Sequence, residues 1–93
     1  MSEATMTQPI SRHLAMLKKG DSAVVSGLAA DTGEQSALSL RLLELGFVPG
    51  ESVRVVAESF PGRDPMAVRI GNTTFALRRH EAALVQLLPP EHG

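Results

Sequence analysis

The 93-residue chain has no cysteine, no tryptophan and no tyrosine, and three phenylalanines are its only aromatic residues. Without cysteine it forms no disulfide and offers no thiolate to a metal, so nothing in it requires an oxidising compartment. Without tyrosine and tryptophan it lacks the aromatic groove that holds a polyproline helix, and it has little on which to stack bases. No uninterrupted apolar run approaches the roughly 18 residues that span a bilayer. Residues 1–9 contain neither a basic n-region nor an apolar h-region, so no signal peptide is expected. These absences predict a cytoplasmic protein that does not itself span a membrane. An excess of charge is missing as well. Nine Lys and Arg stand against ten Asp and Glu, a formal net charge of −1. Lys18-Lys19 and Arg78-Arg79 are the only basic doublets, so nucleic-acid binding has no positive support. The chain also lacks a Gly-x-Ser-x-Gly elbow, a Gly-x-x-x-x-Gly-Lys phosphate loop and a His-Glu-x-x-His pair, and it is not expected to be an enzyme.

What is present is ordinary globular composition, 43% hydrophobic and 20% charged, in a length that makes one domain with one modest core. Its most informative stretch is Leu40-Arg-Leu-Leu-Glu-Leu-Gly-Phe-Val-Pro-Gly50. A leucine-rich helix runs into Gly46, a residue free to take the left-handed conformation that closes many helices. With Gly46 at C′, Phe47 and Leu42 are the pair that meets in a Schellman stop. Val48-Pro49-Gly50-Glu51 then fits a type II turn, with proline at its second position and glycine at its third. The same helix is apolar on two sides. At 100° per residue, Leu38, Leu42 and Leu45 share one stripe, while Leu40 and Leu43 lie nearly opposite, rimmed by Arg41 and Glu44. One stripe suffices to cover a core. The second needs another cover, either the chain's own N-terminal segment or a partner protein.

In chain order, residues 1–9 read as a disordered N-terminus and residues 10–88 as the domain, with 89–93 as a tail. Ile10, Leu14 and Leu17 have helical spacing and predict a helical turn or two. A first strand is expected over Ser22–Leu28, and the long helix starts between Asp31 and Ser36 with Asp31, Thr32 or Ser36 as its N-cap. Val53, Val55 and Ala57 alternate with Arg54, Val56 and Glu58 as a half-buried strand. Phe60-Pro-Gly-Arg-Asp-Pro65 is a loop, and Met66–Ile70 and Thr73–Arg78 form a hairpin about Gly71-Asn72. Arg79–Ala83 makes one helical turn and Leu84–Leu88 a last strand. Leu17-x-x-Gly20-Asp-Ser-x-x-Val25 recurs thirty residues on as Phe47-x-x-Gly50-Glu-Ser-x-x-Val55, which we read as shared turn chemistry. Five short strands with one inserted helix describe a mainly β, strongly bent barrel of SH3-like type.

Metal ligands are scarce. His13, His80 and His92 are far apart in sequence, and adjacent His80 and Glu81 point in different directions on a helical turn. They are read as surface residues, with His80, Glu81 and His13 as weak candidates for a divalent transition metal and no resident cofactor expected. Arg78 and Arg79 near Glu81 read as a surface ion pair, or alternatively as charges that steer an acidic partner surface.

Arg41-Leu-Leu-x-Leu-Gly-Phe-x-Pro-Gly50, then Val53 and Val55, then Pro65, then Ala76-Leu-Arg-Arg-x-Glu-Ala82 resemble the FeoA family, small proteins associated with bacterial ferrous iron transport. The resemblance runs from about Leu14 to Leu88. It implies an SH3-like barrel and a role beside FeoB, a membrane permease with a cytosolic GTPase domain. A similar domain ends iron-dependent repressors, whose other parts do not fit in this length. From the second stripe of the helix and the basic doublet, Leu40, Arg41, Leu43, Glu44, Arg78 and Arg79 are candidates for partner binding, and Leu42, Gly46, Phe47, Pro49 and Gly50 form the structural motif. The alternative is a metal-sensing or metal-carrying domain, and homo-oligomerisation stays open.

Overall fold

A computed structural model of the protein describes residues 12–29 and 34–90, and of Glu34, Gln35 and Ser36 only the backbone. The chain forms β1 (Arg12–His13), a 3₁₀ turn (Leu14–Met16), β2 (Ser22–Leu28), α1 (Glu34–Leu45), β3 (Ser52–Glu58), β4 (Met66–Ile70), β5 (Thr73–Leu77), α2 (Arg79–Ala82) and β6 (Val85–Leu87). The strands make one antiparallel sheet in the order β1-β6-β2-β3-β4-β5. β2 is where it bends. Ser22–Val24 pair with β3, whereas Val25–Leu28 pair with β6 across a register shift between Val25 and Gly27. The sheet thus wraps a core that includes Leu14, Leu17, Val25, Leu42, Phe47, Val53, Val55, Met66, Val68, Leu77, Val85 and Leu87. Phe47 lies at its centre, fully buried, with its ring centroid 6.0 Å from that of Phe75.

The thirty-residue echo is built into the centre of the sheet. Each copy turns through a glycine of positive φ, +94° at Gly20 and +95° at Gly50. Asp21 N–H donates to the Lys18 carbonyl at 2.9 Å and Glu51 N–H to that of Val48 at 3.1 Å, closing two turns of the same kind. Each turn then grips the other copy's valine. Gly20 N–H donates to the Val55 carbonyl at 2.8 Å and Val55 N–H to that of Asp21 at 3.0 Å. Reciprocally, Gly50 N–H donates to the Val25 carbonyl and Val25 N–H to that of Glu51, both at 2.8 Å. Two residues face one at each end, which is the arrangement of a bulge with glycine in its first position. The two-fold relating them passes through the Ala23–Val53 pair, itself thirty residues apart.

α1 ends as the leucine-glycine pattern predicts. Phe47 N–H donates to the Leu42 carbonyl at 3.1 Å and Gly46 N–H to that of Leu43 at 3.0 Å, the two bonds of a Schellman stop, with Gly46 at φ +114°. The hairpin between β4 and β5 has Gly71 at φ +57° in the first position of its two-residue loop, as a primed turn requires.

Three expectations change. The sheet has six strands, because Arg12–His13 pairs with β6 and only Leu14–Met16 is helical, as a 3₁₀ turn. Ile10 lies outside the described residues, as do Asp31 and Thr32 and the two chain ends. Ser36 lies inside α1 and is not its cap. Ala57 is exposed, because a register shift between Val55 and Ala57 reverses the alternation of β3. No group within 4 Å would obstruct a methyl at Gly46, so Gly46→Ala carries only the backbone cost. It should destabilise by about 1–2 kcal/mol, read by denaturant titration.

Candidate interaction surface

α1 leans on the core by one stripe. Leu42 is 3% exposed and Leu38 and Leu45 are partly buried against the core cluster, whereas Leu40 is 56% and Leu43 43% exposed. Arg41 and Glu44 beside them are exposed too. Among the described residues nothing covers the second stripe. Arg41 also lines a narrow cleft with Leu38, Leu42, Leu45, Phe75, Ala76, Leu77 and Glu81, where α1 meets β5 and α2.

The Arg78–Glu81 block is used differently from the expected ion pair. Glu81 Oε1 accepts the backbone N–H of Arg78 at 2.8 Å, and Asp64 Oδ1, from the β3–β4 loop, accepts that of Arg79 at 3.0 Å. Two donors at the start of α2 are thereby satisfied, one by its own third residue and one from fifteen residues away. Arginine has no acceptor, so the return half of a capping box cannot form. Arg78 is exposed, while Arg79 is half-buried with Nη1 enclosed and unpaired. Among the described residues the ion pair is Arg63 with Glu58, at 3.9 Å.

His13 is half-buried in β1 opposite Gln86, with Nδ1 enclosed and unpaired, and His80 is exposed on α2. Among the described residues no three His, Asp or Glu side chains converge as a metal site. His92 lies outside them. Sequence reasoning passed over Phe60, which stands 93% exposed at the tip of the β3–β4 loop. The loop beneath it is held by Ser59 N–H to the Pro65 carbonyl, 3.0 Å, and Arg63 N–H to that of Ser59, 2.6 Å. An aromatic residue within a proline-glycine loop was the available signal. Among the described residues no helix is long and apolar enough to cross a membrane.

A short, bent antiparallel sheet with one inserted helix defines a small SH3-like β domain. The family model of the FeoA domain matches residues 12–88, and the chain belongs to that family. The chain is 43% identical to the FeoA of Stenotrophomonas maltophilia crystallised with zinc, covering 82% of this chain and 88% of that one with a TM-score of 0.72. It is 32% identical to the FeoA of Chlorobium tepidum, covering 88% and 75% with a TM-score of 0.67. It is 35% identical over 75 residues to a Porphyromonas gingivalis fusion of Fe(2+) transport protein A with the Fe(2+) transporter FeoB. That match takes in 81% of this chain but 8% of the relative's length. A manganese-dependent transcriptional repressor, 21% identical with a TM-score of 0.68 over 88% of this chain and 43% of its own, shares the fold.

Capping by Asp64 and Glu81 is testable. Asp64→Ala and Glu81→Ala should each destabilise by about 0.5–2 kcal/mol, read as a lowered midpoint in denaturant. Arg78→Ala, which keeps both backbone donors, should change it by less than about 0.5 kcal/mol.

Proposed function

We propose that this protein is a cytoplasmic accessory factor of ferrous iron uptake, and that it acts by docking the outer face of α1 on the cytosolic part of a FeoB-type permease. The observation that carries this is the exposed Leu40 and Leu43, rimmed by Arg41 and Glu44. An apolar patch with a charged rim is the usual form of a protein-binding face. The Porphyromonas gingivalis relative supplies the partner, because it carries both functions in one chain. Fusion holds two interacting modules at high effective concentration, which favours modules that already touch. The Stenotrophomonas maltophilia relative is itself described as a candidate activating factor for bacterial ferrous iron transport. In this reading the protein performs no catalysis of its own, and the exposed Arg78 adds steering rather than affinity.

The experiment is a split between stability and binding. Leu40→Ala and Leu43→Ala should leave stability within about 0.5 kcal/mol, since alanine is also a good helix former. Each should weaken binding to the permease's cytosolic domain by about 1–3 kcal/mol. Leu42→Ala, buried at the Schellman contact, should instead cost about 2–5 kcal/mol of stability. Equal loss of stability in all three variants would remove this face from consideration. Loss of self-association by the Leu40 and Leu43 variants, without any effect on permease binding, would make the face a contact between copies.

The zinc bound by the 43%-identical relative favours a second reading, a metal-carrying domain. Its test is calorimetry with Fe(II) and Zn(II). We expect dissociation constants no better than tens of micromolar, roughly −6 kcal/mol, while stoichiometric sub-micromolar binding lost in His80→Ala would establish the metal carrier.

A further inference from the structure

Arg54 of β3 and Arg69 of β4 face each other directly across the sheet. The row continues to Ser22 of β2 on one side and Thr74 of β5 on the other. All four residues are exposed, so a polar stripe crosses four strands with two positive charges adjacent at its centre. Like charges directly opposed across antiparallel strands destabilise the pair. Among the described residues neither guanidinium meets a carboxylate, and Arg69 Nε donates instead to the Gly71 carbonyl at 3.1 Å. Lys19 and Gly20, which belong to the turn before β2, line a shallow hollow with Arg54, Val55, Val56 and Arg69. A second hollow on the same arginines is lined by Ser22, Ser52, Val53 and Gly71. Among the described residues no acid lines either hollow. The nearby Asp21 carboxylate is engaged with the Lys18 backbone N–H at 2.9 Å.

A repulsive pair of arginines that meets no described acid, in a chain of net charge −1, is suited to an anionic ligand that supplies the missing carboxylates. Guanidinium forks take carboxylates two-pronged, and the flanking Ser22 and Thr74 hydroxyls are further donors. A nucleic acid would want a broader basic face and aromatic platforms. An anionic membrane would want four or more clustered cations. We propose that the Lys19–Arg54–Arg69 stripe is a docking surface for an acidic segment of a partner protein. This goes beyond the reading of α1, since none of the helix's residues lines either hollow, and it holds whichever protein carries the segment.

The test uses the ¹⁵N-labelled full chain and an acidic peptide of about a dozen alternating Glu and Ser residues, at low salt. Amide shifts should cluster at Lys19, Ser22, Arg54, Arg69 and Thr74. Affinity should fall about tenfold or more on going to roughly 0.3 M salt, where charges are screened within about 6 Å. Arg54→Gln/Arg69→Gln should abolish the shifts while leaving the melting temperature equal or higher, because it removes the repulsion. Shifts centred elsewhere, for example on Arg78 and Arg79, or shifts that persist in the double variant, would overturn the proposal. So would binding of a short duplex DNA at the stripe with none of the peptide. The permease takes no part in this titration, so a failure of permease docking and a failure of the stripe are separate results. If the segment belongs to the permease's cytosolic domain, Arg54→Gln/Arg69→Gln will weaken that complex about tenfold beyond any effect of Leu40→Ala.

Discussion

Four backbone hydrogen bonds between two turns and two valines hold the centre of this molecule. Gly20 and Asp21 clasp Val55, and Gly50 and Glu51 clasp Val25. Because strand side chains alternate, fixing these two pairs fixes the residues that lie between them on β2 and β3. Val25, Val53 and Val55 must point inward, and Arg54 must point out. The residues three before each turn glycine, Leu17 and Phe47, are carried into the core as plugs at opposite ends of the clasp. The outer strands add to an arrangement that is already determined. Either clasp broken alone would free a valine N–H and a carbonyl in the interior, where unpaired backbone groups are costly.

The same clasp explains why α1 is only half committed to the fold. It joins β2 to β3, which are already locked side by side, and one buried leucine with two partly buried ones on its inner stripe holds it down. Its outer stripe and the charged row on β3 and β4 stay exposed. Among the described residues no cluster of ionisable groups suggests chemistry. Its family includes both small FeoA chains and a segment of a transporter fusion.

Local signals were readable in the sequence because each depends on a few neighbouring residues. The Gly46 stop, the Pro49-Gly50 turn, the Gly71-Asn72 hairpin and the two-sided leucines of α1 all appear in the structure as expected. What failed depends on partners far along the chain. Arg12 and His13 are extended because β6, over seventy residues away, gives them a ladder to join, and a short apolar spacing cannot announce that. Ala57 turned outward because one extra residue in β3 reverses the alternation, an event with no glycine or proline to mark it. Arg54 and Arg69 are fifteen positions apart and become neighbours only through register, whereas the doublet Arg78-Arg79 drew notice merely by adjacency. Glu81 was paired with the wrong part of Arg78, since composition shows the charge of a side chain but not that a backbone N–H stands closer.

Between Val25 and Gly50 the chain makes an excursion that begins and ends at one hydrogen bond of 2.8 Å. Topologically it is a hairpin loop that happens to contain a helix. The entropy of closing such a loop rises only with the logarithm of its length, about 0.6 kcal/mol for each doubling. The sheet on either side is therefore nearly indifferent to how much chain the excursion holds, provided that Gly27 and Leu28 still pair with β6 and that Leu42 and Phe47 still return to the core. Selection can lengthen, shorten or resurface this segment to suit a different docking partner while the rest of the protein stays as it is, much as an antibody framework tolerates new loops.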